Sequence, residues 1–156
     1  MSQTKSIALI GIGNPLRADD GIAHWVCNEL EKLQLPGIEI FAYHQLQTDL
    51  IESWLSYDEL IIVDAAIDIN GVQLETVSEN NNNTEFGKTA QSNSSSHHLH
   101  PATIKGLIKQ LYNKDITIKL CKIEVNNFTL GGALSDLALA NGAKAINVLR
   151  DELTHR

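Results

Sequence analysis

The sequence predicts an α/β fold: a three-layer sandwich with a largely parallel, twisted sheet and helices on both faces. Three observations point there. Strand and helix periods alternate along the chain, the pattern of consecutive βαβ units. Two apolar runs, Ile7–Ile10 and Leu60–Val63, are continuous rather than alternating, as strands covered on both faces require. At 156 residues, with 43% hydrophobic and 20% charged, the composition is that of one globular domain over residues 1–156, long enough to bury a core.

The elements follow in order. Ile7–Ile10 is the first strand, and it stops at the turn Gly11-Ile12-Gly13-Asn14-Pro15. From Gly21, residues Ile22, Trp25, Val26, Leu30 and Leu33 recur at helical spacing until Pro36-Gly37 ends the segment. Ile38–Tyr43 is a second strand. Leu46, Leu50, Ile51 and Trp54 fit a short helix over Leu46–Leu55, with Thr48 or Asp49 near its start. The third strand, Leu60–Val63, is expected to end on Asp64, and Gly71 supplies the turn into a fourth strand, Val72–Val77. Glu79–Ser96 is rich in Asn and Ser and poor in large apolar residues, which predicts a mobile surface loop. Pro101 suits the first turn of a helix over Pro101–Tyr112. Ile116–Val125 is a strand region. Ser135 is the expected N-cap of a last helix, with Leu137, Leu139, Ala140, Ala143, Ile146 and Leu149 near its apolar side.

Composition excludes several classes. A net charge of −7 argues against general nucleic-acid binding, which needs concentrated Lys and Arg against phosphate. No window approaches the ~18–20 apolar residues of a membrane span. The N-terminus leads straight into a strand and a glycine turn, unlike a signal peptide. Cys27 and Cys121 form no CxxC pair and fall in helical and strand patterns, so two buried free thiols are expected. These features point to a cytoplasmic protein with no membrane partner.

Three places could carry chemistry. Gly11-Ile12-Gly13 opens like a dinucleotide fingerprint, but the position of the third glycine is Leu16, and two acids precede the helix. Carboxylates there would repel phosphate, so the glycines read as turn formers. The second place is the strand ends: Asp20 follows the first strand through its loop, and Asp64 follows the third. In a doubly wound sheet these two acids can meet in one crevice. Each also has a plain reading. Asp20 could be a helix-start acid favoured by the macrodipole, and Asp64 an acid bonded to loop N–H groups. The third place is His97, His98 and His100, just ahead of a helix. They could offer a metal ligand or simply end a polar loop. Two carboxylates and one imidazole would make an open site for a borderline divalent ion such as nickel or zinc. No G-x-S-x-G elbow is present.

The stretches GIGNPLRADDGIA, LIIVDA and SSHHLHPATI, in this order and followed by Gly131–Ser135 ahead of the last helix, resemble the hydrogenase maturation endopeptidases. The resemblance implies removal of a C-terminal tail from the precursor of a nickel–iron hydrogenase large subunit. Carried over residue by residue, it implies that Asp20, Asp64 and His97 form the catalytic and metal-contacting set. Asp19 is expected to support the loop. The implied metal is nickel presented by the precursor, with zinc or cadmium as an ion that could occupy the site in isolation. Ala23 stands where relatives often have Gly, and Glu79–Ser96 is long for the family. Two other functions are open: a non-catalytic nickel-binding or checkpoint module using the same three ligands, and, less favoured, a nucleotide-binding α/β protein through Gly11 and Gly13.

Overall fold

The computed structural model describes residues 4–78 and 99–155. The loop expected over residues 79–96 lies outside the described residues, and so does His97. Five strands, β1 (Ile7–Ile12), β2 (Ile38–Tyr43), β3 (Glu59–Ala66), β4 (Val72–Thr76) and β5 (Thr117–Glu124), form one sheet in the order β2-β1-β3-β5-β4. The first three and β5 run parallel, and β4 closes one edge antiparallel to β5. Helices α1 (Ile22–Glu31) and α4 (Asp136–Thr154) contribute to one apolar core. Helices α2 (Ile51–Trp54) and α3 (Pro101–Tyr112) contribute to the other. The three-layer α/β sandwich expected from the alternating periods is therefore the architecture observed.

Strand parity divides the two cores. Ile7, Leu9, Ile61, Val63, Cys121 and Ile123 face α1 and α4, whereas Ala8, Ile10, Ile12, Leu60 and Ile62 face α2 and α3. This is the period-two alternation of a strand sheathed on both sides. Among the described residues, no helix is long and apolar enough to cross a membrane.

The last helix buries Leu149 and packs Ile146 on the core as expected, but the rest of its buried stripe is set by smaller residues. Ser135 is its N-cap, with Oγ accepting from Ala138 N at 3.1 Å, as expected. The buried residues, however, are Ala138, Asn141, Gly142, Ala145, Leu149 and Leu153, while Leu139, Ala140 and Ala143 are exposed. Gly142 gives the reason. A Cβ there would stand 2.8 Å from Ile22 Cδ1 and 2.9 Å from Trp25 Cζ3, so α4 packs against α1 through small residues. Close backbone approach outweighs the area that larger side chains could bury.

Candidate active site

The chain crosses from β1 to β2 on one side and returns to β3 on the other, so β1 and β3 flank the point where strand order reverses. In open α/β sheets, ligands bind beyond the carboxyl ends of the strands at such a point. Ile12, the last residue of β1, is in register with Asp64 of β3. The strand does not end on Asp64 as expected. It continues to Ala66 because β5 keeps pairing with it through Glu124. What ends at Asp64 is the ladder between β1 and β3. By parity Asp64 shares the face of Leu60 and Ile62, on the side of α2 and α3, and it is half-buried. Its register partner on β5 is Lys122, which makes an ion pair with Glu75 at 3.0 Å.

Asp20 reaches the same strand end by a different route. Gly13, one residue beyond Ile12, has φ +146°, and a Cβ on it would lie 2.0 Å from Asp20 O and 3.6 Å from Asp20 Cγ. Only glycine allows this approach. The Asn14 N–H then donates to Asp20 Oδ2 at 2.8 Å, while Asn14 Oδ1 accepts from Leu16 N at 2.9 Å and shapes the turn. Asp20 is half-buried beside the residue that follows Asp64's register partner. Asp20 and Asp64 thus both stand at the carboxyl ends of the neighbouring strands β1 and β3.

The adjacent acid behaves differently. Residues Ala18–Gly21 form a 3₁₀ turn, in which successive side chains point about 120° apart. Asp19 turns inward and is fully buried. Its Oδ2 accepts from Asn126 N at 3.1 Å, Asn127 N at 3.0 Å and Ser135 Oγ at 2.8 Å, and its Oδ1 accepts from Ser135 N at 2.7 Å. Four donors satisfy the carboxylate and tie the loop after β5 to the loop after β1. Asp19 therefore supports the loop, as expected.

The glycines after β1 make room for this chain's own atoms. A Cβ on Gly11 would meet Cys27 Sγ at 2.7 Å, and Gly13 is closed by Asp20. Neither leaves a cradle for phosphate, which supports the turn-former reading. Cys27 and Cys121 are free and buried, and burial pushes both thiols up to about 12. Neither supplies a thiolate at neutral pH.

On the α3 side, Leu99 packs against the core shared with α2, and half-buried His100 is the residue before α3. Among the described residues, no group of three or more His, Cys, Asp or Glu side chains is placed to hold a metal ion. Sequence reasoning overlooked His24, half-buried in the first turn of α1, with Nε2 3.2 Å from Tyr43 O. Its signal was a histidine four residues after Asp20, one helical turn away.

No protein-family model matches this chain, and no curated protein matches it in sequence. Its backbone is nevertheless similar to solved structures. One is a [NiFe] hydrogenase maturation protease HycI from Thermococcus kodakarensis KOD1, at a TM-score of 0.69 and 20% identity, covering 98% of this chain and 95% of that one. Another is the hydrogenase maturating endopeptidase HybD from E. coli, at 0.73 and 18%, covering 96% and 92%. A third is the [NiFe] hydrogenase maturation protease HybD from Thermococcus kodakarensis, at 0.63 and 20%, covering 94% and 98%. The chain has the fold of these proteases.

Proposed function

We propose that this chain is an endopeptidase that removes the C-terminal tail from the nickel-loaded precursor of a nickel–iron hydrogenase large subunit. The observation that carries the reading is the placement of Asp20 and Asp64 at the carboxyl ends of the neighbouring strands β1 and β3. The shared fold and the ordered motifs add to it.

In this reading the nickel arrives with the substrate. Asp20 and Asp64 offer it carboxylate oxygens and His97 an imidazole, a donor set that suits a borderline divalent ion. The metal supplies Lewis-acid polarisation of the scissile carbonyl. Water adds to the carbonyl carbon, the C–N bond breaks, and the tail leaves as an amine. One carboxylate takes the proton from the attacking water and returns a proton to the departing nitrogen. Asp19 holds the loop that presents Asp20.

Mass spectrometry of purified precursor mixed with the chain tests this. Nickel-loaded precursor should lose the mass of its tail, and nickel-free precursor should stay intact even at high enzyme concentration. Asp64→Asn protein should leave both intact; full processing by that variant overturns the site. An unchanged precursor mass with the wild-type chain bound would identify a checkpoint module instead.

A further inference from the structure

Leu130 and Leu16 are the most exposed large apolar side chains among the described residues, at 74% and 67%. A lone exposed leucine needs no explanation. These two are held together by the loops that carry Asp19 and Asp20. Gly131 N donates to Leu16 O at 2.7 Å, and Asp19 N donates to Asn127 O at 2.9 Å. Next to Leu16 stands Arg17, exposed, whose side chain reaches the loop of Leu130 through one hydrogen bond among the described residues, from Nε to Phe128 O at 3.4 Å. In a chain of net charge −7, a guanidinium three residues before Asp20 whose terminal nitrogens have no acceptor among the described residues favours a partner that carries a carboxylate, which it can grip bidentately.

We propose that Leu16, Arg17 and Leu130 form a docking rim for an extended apolar segment of the precursor's tail, with Arg17 pairing to a carboxylate on that segment. The proposal rests on the endopeptidase reading and adds how the substrate is held. Asp19's four hydrogen bonds fix the rim before the substrate arrives, so little loop ordering is spent on binding. The rim acts on substrate capture and leaves the carboxylates untouched.

The test compares Leu16→Ser/Leu130→Ser and Arg17→Gln with wild type on nickel-loaded precursor, reading kcat and KM for tail release and precursor binding separately. Leu111→Ser is the control, because Leu111 is 65% exposed near the end of α3, toward the opposite end of the sheet. All are surface changes, so melting points should stay within about 2 °C of wild type. The rim variants should raise KM about tenfold with kcat little changed, and the control should do neither. Unchanged KM and binding in both rim variants, with wild type still cutting, overturns the rim and leaves the peptidase standing. If wild type binds but does not cut, the peptidase reading fails, and weaker binding by the rim variants still supports the rim. If wild type neither cuts nor binds, both fall.

Discussion

At the amino end of β3, Glu59 is 3% exposed and faces cations. Lys119 Nζ lies 3.2 Å from its Oε1, an ion pair without the alignment of a hydrogen bond, and Lys5 Nζ lies 3.8 Å from its Oε2. Lys119 also pairs with Glu152. At the carboxyl end, the acids meet main-chain donors and one another's loops. Asp19 is saturated by four donors, whereas Asp20 accepts one hydrogen bond among the described residues, from Asn14 N, and stays half-buried. Burial alone therefore does not mark the candidate catalytic acid. A buried carboxylate with a full complement of partners holds the fold together. One with capacity left over, at the switch point of the sheet, is available to a substrate.

This contrast can be broken most directly through activity. Asp20→Asn should slow tail release by about 10²-fold or more, while Glu59→Gln should leave the rate unchanged; equal losses in the same assay would erase the distinction. Stability should instead follow the saturated acid. Asp19→Ala strands four donors and should destabilise by about 3–5 kcal/mol, lowering the melting point by about 10 °C. Glu59→Gln should cost less, about 1–2 kcal/mol, because Lys119 keeps Glu152. Calorimetry on the two variants would order them.

The smallest expected effect is a pH dependence confined to the amino end. Partial burial works to lower the Lys119 pKa, but the carboxylates of Glu152 and Glu59 outweigh it and hold the ammonium above its ordinary value of 10.5. A raised lysine contributes stability that is complete below the unfolded value and is lost as pH climbs through the folded one. Unfolding followed at increasing alkaline pH should show this loss in wild type and a weaker one in Lys119→Met protein. Identical alkaline profiles would remove Lys119 from the account.

Much of the fold was legible because each element's burial is written locally. Ile7–Ile10 and Leu60–Val63 announced strands with two covered faces, and Ser135 announced a cap. The last helix misled for a physical reason: Gly142 and Ala145 are buried by close approach to α1, so the larger Leu139 was left outside. The site was legible in part. Asp20 and Asp64 stood out as acids at strand ends, and His24 was marked only by its spacing from Asp20, whereas the contact between the Leu16 and Leu130 loops carried no local pattern.

By itself, then, the sequence determined the three-layer class, the glycine turn after the first strand and the pair of adjacent acids. Tertiary structure decided which acid does what. The 3₁₀ turn sends Asp19 into the loop after β5 and lays Asp20 on Gly13, and the pairing of Ile12 with Asp64 puts Asp64 at the end of the β1–β3 ladder. Periodicity records how often a residue is buried. Register and long-range hydrogen bonds exist only once the elements have packed, and here they separate a structural acid from a candidate catalytic one.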